Sequence, residues 1–323
     1  MSSLRRALVV LMLPFAAGAA LAQDAYPSKP IRLVLGFSPG GISDVLGRAL
    51  AARLSQNVGQ QIVVENRPGA GGSVAAGVIA KAPNDGYTIW LQDMTSHAIN
   101  QSLYKNLPYH PVNDFAPISL VAYSPLMLAV HPSQPTNTVK ELVEYLKANP
   151  ARRTYATAGN GTPNHLAAEM LRNLANLGEL VHVPYKGSQP SVVALMGNEI
   201  AFSFLSMPPA VSGVKNGQLR GLAVTSAKRV SAVPEIPTMI ESGFPVELVV
   251  YTGVLAPAGT PAPIIQKLNA ELARTVVADE VKKIYATIGA EAITNSPAEF
   301  KAMMESDIGK YGALVKAAGA KID

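Results

Sequence analysis

The sequence predicts an α/β protein of two similar lobes joined by crossing strands. Three observations carry this. Short β-branched runs alternate with helical patterns along most of the chain, and the alternation falls into two series. An apolar stretch near 120–130 separates the series. A second such stretch, near 247–256, is placed to return the chain to the first. Strand–helix–strand succession builds parallel sheet through right-handed crossovers, so each series makes its own sheet region.

The chain opens with a targeting pattern. "MSSLRRALVVLMLPFAAGAALAQ" has a basic start at Arg5 and Arg6, an apolar stretch to about Ala20, and a small-x-small cleavage site at Ala20-Leu21-Ala22. Its apolar part is shorter than the ~20 residues that span a bilayer, and Pro14 interrupts it. Residues 1–22 are therefore expected to be removed on export. Lobe one is expected from 23–124 and 253–323, and lobe two from 125–252.

In the first series "IRLVLG" (31–36), "QIVVEN" (61–66) and "YTIWLQ" (87–92) read as buried strands. Leu46, Leu50 and Leu54 recur at i, i+4 and i+8, the inner face of a helix. "GGSVAAGVIAKA" (71–82) is a small-residue helix stopped by Pro83 and the Asn84-Asp85-Gly86 turn. The second series runs through strands at 126–131, 153–158, 179–185, 200–205 and 219–226. Helices at 139–149, from about 163, 188–197 and 208–216 lie between them. After "VELVVYTGVLAP" (246–257), helices near 261–278, 280–288 and 297–318 close the chain.

Composition removes several functions. With no cysteine, thiol catalysis and cysteine-ligated metal are excluded. Cleavage takes two of the 27 basic residues and none of the 22 acidic ones, so the net charge falls from +5 to +3. That excess is spread out, whereas a nucleic-acid footprint needs clustered Lys and Arg. No metal site or cofactor motif is expected: His165 and Glu169 stand one helical turn apart without a third ligand.

"LVLGFSPGGISDVLGR" (33–48) holds a literal G-x-S-x-G around Ser38. In a nucleophile elbow the residue after the serine donates its N–H to the oxyanion hole, and Pro39 has none. The loop reads better as a binder. Gly40 and Gly41 allow close backbone approach, Ser43 is a candidate N-cap, and a helix N-terminus favours an anion. "YATAGNGTPNHLAAEML" (155–171) repeats the design, with Thr162 at the N-cap position and Pro163 at the first helical one. "VPYKGS" (183–188) adds a third strand-to-helix loop, offering Tyr185 and Lys186.

From Tyr26 essentially to the C-terminus the chain resembles the extracytoplasmic solute receptors of tripartite tricarboxylate transporters, the Bug-type receptors. The stretches that carry the likeness include "VVENRPGAGGS", "APNDGYT", "HAINQSLYKNLPYHPVNDFAPISLV", "YATAGNGTPNHLAAE", "VHVPYKGS", "LRGLAVTSAKR" and "APAGTPAPIIQKLNAEL". The resemblance implies a monomeric, non-enzymatic, periplasmic Venus-flytrap receptor of type II-like fold. It would close on a small organic carboxylate and serve transporter membrane subunits. Implied binding positions are Phe37, Ser38, Gly40, Gly41, Ser43 and Asp44 in the first loop, and Ala158, Gly159, Asn160, Thr162 and His165 in the second. A turn with Ser96 and His97 would form the cleft edge, and Leu205 and Ser206 would face the ligand's far end. Alternatives are an exported hydrolase using Ser38, or a carboxylate sensor feeding a signalling partner. Ala201 and Leu205 stand where many receptors of this type carry aspartate, which predicts a ligand without an amino group.

Mass spectrometry of the exported protein should give a chain beginning at Gln23; retention of Arg5 and Arg6 would refute cleavage there.

Overall fold

Residues 26–318 are described in a computed structural model of the chain; the expected signal peptide lies outside them. The first series folds as β1 (Ile31–Leu35), α1 (Ile42–Val58), β2 (Ile62–Asn66), α2 (Ser73–Ile79), β3 (Thr88–Asp93) and α3 (Met94–Leu103). A long strand, β4 (Phe115–Val130), leads to the second series. That series comprises α4 (Val139–Ala148), β5 (Thr154–Thr157), α5 (Pro163–Ala175), β6 (Val181–Pro184), α6 (Ser188–Met196), β7 (Phe202–Ser206), α7 (Met207–Lys215) and β8 (Arg220–Val224). The chain returns through β9 (Val249–Pro257) and ends with α8 (Ala262–Val276), α9 (Asp279–Thr287), β10 (Glu291–Ala292) and α10 (Pro297–Ala318).

One curled sheet runs β2-β1-β3-β9-β4-β7-β5-β6, with β8 and β10 also paired to β4. Its two wings are parallel: β1 pairs β2 and β3, and β5 pairs β6 and β7. Antiparallel pairing joins them, because β9 lies beside β3 and β4 beside β7 and β8. Between the wings β4 and β9 pair from Phe115↔Pro257 to Pro125↔Val249, with register shifts after Pro117 and Leu120. Such shifts bend and twist a ladder. At its 16 residues β4 is about 50 Å long, enough to belong to both wings.

Burial follows the periodicities. Ile31, Leu33 and Leu35 of β1 pack with Leu50 and Leu54 of α1 and with Leu268 and Leu272 of α8. In the second wing Leu126 and Leu128 of β4 meet Leu171 of α5 and Phe202 and Phe204 of β7. Tyr311 and Val315 of α10 join that same cluster, so the C-terminal helix braces α5 as well as α3. Helix α1 stops at Gly59, whose φ of +69° is the left-handed cap glycine tolerates best.

Three expectations change. The crossing stretch and the strand read at 126–131 are one element, β4, because apolar residues continue without a break. The turn expected at Ser96–Ala98 is the first part of α3, capped when the Asp93 side chain accepts from the Ser96 N–H at 2.9 Å. Gly41, not Ser43, is the N-cap of α1, which leaves Ser43 inside the first turn.

Leu171 is fully buried between the second wing and α10. Leu171→Ala should cost roughly 2–5 kcal/mol in chemical denaturation, the usual range for a core leucine.

Candidate ligand-binding site

Parallel strands in each wing point their C-terminal ends toward the other wing, and helix N-termini follow. They meet around a small pocket that opens to solvent. The first wing contributes Phe37, Gly41, Ile42, Ser43 and Asp93 to its walls. The second contributes Ala158, Asn164, Ser188 and Ser206, and Val250 of β9 forms the floor between them.

Backbone donors dominate the first wall. Helix α1 has no side-chain cap, and its earliest intrahelical bond is Val45 N–H to Gly41 C=O at 3.1 Å. The N–H groups of Ile42 and Ser43 precede that bond, so the helix gives them no carbonyl partner. Ser43 Oγ is itself buried and accepts or donates no hydrogen bond among the described residues. Gly40 holds φ +81°, a conformation open to glycine at little cost.

Asp44 holds this loop. Its carboxylate accepts from Gly40 N–H at 3.0 Å, from Arg48 Nε at 3.0 Å and from Asn66 Nδ2 at 3.1 Å. Asn66 Nδ2 also donates to the Phe37 carbonyl at 3.0 Å, tying both ends of the loop to β2. Burial pushes the Asp44 carboxyl up, but the bonds from Arg48, Gly40 and Asn66 outweigh it and hold it below its ordinary value. Asp44 is thus a positioning residue whose side chain does not line the pocket.

The second wall is built alike. Neither α5, α6 nor α7 has a side-chain cap. Thr162 occupies the N-cap position of α5, yet its hydroxyl donates to the Gly159 carbonyl at 2.7 Å and so serves the loop. Gly159 and Gly161 hold φ of +131° and +73°. Asn164 Nδ2 donates to the Phe204 carbonyl at 2.7 Å, and Ser188 Oγ lies 2.7 Å from Ser206 Oγ. The wings also touch directly. Ser38 Oγ donates to the Lys186 carbonyl, and Asn160 and Gly161 of the second wing pack against Gly71 and Asn100 of the first.

Several expected positions lie elsewhere. Leu205 is fully buried on the opposite side of β7, packed with Met127, Met207 and Val224, because alternation along a strand turns it away as Ser206 faces the pocket. Ala201 is equally buried. His97 sits among Trp90, Tyr109 and Phe115, its Nε2 2.7 Å from the Pro111 carbonyl. Burial holds it near 4 although that carbonyl pulls the other way, so it is neutral. His165 stacks on His182 at 4.3 Å; burial holds it to about 4 and its neighbour to about 3. Ser96 is spent on Asp93, and Tyr185 is a half-buried flank of the second wing's core. A separate groove beside the β4–β9 ladder is lined by Tyr123, Glu247 and Tyr251.

Ile42 and Asn164 line the pocket within the two loops, 37–44 and 158–165, that the resemblance marks, whereas Asp93, Ser188 and Val250 are pocket residues that motif reading did not single out. Asp93 had a signal: an aspartate directly after a buried strand is a helix N-cap candidate. Asn164 and Ser188 stand at the first turns of helices already recognised.

Two parallel wings bridged by two crossing strands, with a small pocket at helix N-termini between them, define a two-lobed solute-binding protein. The sequence profile described as tripartite tricarboxylate transporter family receptor matches residues 46–320, and the chain belongs to that family. Protein BugT of Bordetella pertussis is 34% identical over 307 residues, 94% of each chain. A solved R. palustris protein with adipate superposes with a TM-score of 0.88 at 34% identity, covering 92% of this chain and 100% of the other. MatC from Rhodopseudomonas palustris, with bound malate, gives 0.85 at 28% identity, covering 90% of this chain and 100% of its own.

Asp44→Ala leaves the Gly40 N–H and Asn66 without their acceptor and should cost roughly 1–3 kcal/mol at neutral pH. A carboxyl held below its ordinary value stabilises above the unfolded pKa and loses that contribution as pH falls through the folded one. Melting curves of wild type and variant should therefore converge below the ordinary carboxylate range.

Proposed function

We propose that this chain is a receptor that captures a small organic carboxylate between its wings and delivers it to the membrane subunits of a tripartite tricarboxylate-type transporter. One observation carries the reading. Uncapped N-termini of α1, α5, α6 and α7 converge on a pocket that, among the described residues, has no lysine, arginine or histidine in its walls. Backbone N–H groups at helix N-termini favour an anion, and the unpartnered Ser43 hydroxyl adds a donor at the same place. Adipate and malate in the two R. palustris relatives support a carboxylate in particular.

In this reading the wings act as lobes, 23–124 with 253–323 and 125–252, that close about β4 and β9. Each lobe supplies part of the donor set, so the anion is best held when they meet. The receptor is a monomer in the periplasm, exported by cleavage of residues 1–22. It does no chemistry on its ligand: the Ser38 hydroxyl is spent on the Lys186 carbonyl, a contact between wings.

A thermal-shift screen over mono-, di- and tricarboxylates, followed by calorimetry, tests this. At least one acid should stabilise the protein, and Ser43→Ala should weaken it by about tenfold, the worth of a charge-assisted hydrogen bond. Absence of binding by every acid, or turnover of a generic ester lost in Ser38→Ala, would overturn the reading.

A further inference from the structure

Asp93 is the one charged side chain in the pocket wall among the described residues. It is the last residue of β3 and the N-cap of α3, and only 5% of it is exposed. Its Oδ1 accepts from the Ser96 N–H at 2.9 Å and its Oδ2 from Ser96 Oγ at 2.5 Å. A carboxylate has about four lone-pair sites, so these bonds leave acceptor capacity on both oxygens. No basic side chain within salt-bridge distance of Asp93 occurs among the described residues.

That arrangement conflicts with a ligand that is only an anion. Phe37, Ile42 and Val250 line the same pocket and limit the water that could screen two like charges. Burial pushes the Asp93 carboxyl up to about 6, while the bonds from Ser96 and the Thr95 backbone favour its ionised form. A buried charge without a counter-charge is costly, and the dipole of α3 offsets it only in part. The missing partner must come with the ligand.

We infer that Asp93 pairs with a cationic donor on the ligand, so that the receptor selects ammonium carboxylates, amino acids among them, over the same acids without nitrogen. The inference rests on the carboxylate reading above and reverses the expectation drawn from Leu205. The uncapped end of α1 with Ser43 takes the carboxylate, and Asp93, in the same wing, takes the ammonium. An ammonium–carboxylate bond is charge-assisted at both ends and is strongest where water is excluded. Leu205 has no part in the choice, because it lies in the core.

Matched pairs decide the matter: aspartate with succinate, glutamate with glutarate, alanine with propionate, each titrated calorimetrically into the exported chain, with malate as the hydroxyl control. In the pair that fits best, the ammonium member should bind about tenfold tighter or more, the worth of one charge-assisted bond. Asp93→Asn keeps an N-cap of equal quality for α3, so the variant should fold with a near-native Tm, and the preference within the pair should collapse. Equal or tighter binding of the nitrogen-free acids, tightest binding of malate, or a preference that survives in Asp93→Asn each overturns the inference while the receptor reading stands. Failure of every carboxylate to bind overturns both.

Discussion

Everything in the site depends on the antiparallel ladder between β4 and β9. Parallel sheets leave their strand C-termini and the following helix N-termini on one edge, which is where α/β proteins bind ligands. A single such edge offers a shallow surface. The ladder turns two of them face to face, because β9 extends the first wing beside β3 while β4 extends the second beside β7 and β8. It also ties the wings together. The wings share two strands and the α10 brace against α3 and α5, so the pairing from Phe115↔Pro257 to Pro125↔Val249 is the main link between them.

The electrostatic design follows from that geometry. An anion can be held by lysine or arginine, or by helix ends whose N–H groups no side chain has claimed. Here the residues that would ordinarily cap are diverted: Thr162 serves the Gly159 carbonyl, and Ser188 and Ser206 face each other. Glycine takes the cap position at Gly41 and Gly187, where no side chain can intrude. Fixed dipoles lose less side-chain entropy on binding than a long cationic chain, since the backbone was ordered on folding. Asp93 breaks the pattern. Its helix is the one around the pocket with a side-chain cap, and that cap is the wall's only formal charge among the described residues.

Local signals did much of the reading. β1 and β3 are short, mostly apolar runs, β5 and β7 are rich in β-branched or aromatic residues, α1 carries the Leu46, Leu50 and Leu54 stripe, and α5 starts where Thr162-Pro163 says it should. Each of these depends on contacts or φ preferences within a few residues, which is why sequence reports them. "QDMTSHAIN" went unread as a helix because its apolar residues form no clear stripe; α3 is held by the Asp93 cap and by packing of Ala98 and Ile99 against distant β4. The length of β4 was hidden for the same reason, since its two halves pair with different partners.

The sequence by itself determined the two α/β series, the glycine loops that precede the helices, and the family likeness in long ordered motifs. Tertiary structure decided which side chains line the pocket. Strand register turned Leu205 into the core and Ser206 toward the pocket, a difference of one residue that pattern alone does not settle, because both faces of a central strand are apolar. Packing drew His97 and His165 into aromatic stacks, where burial keeps them neutral and away from the cleft. Asp93 and Val250 lie far apart in sequence, and only the pairing of β3 with β9 brings them to one wall.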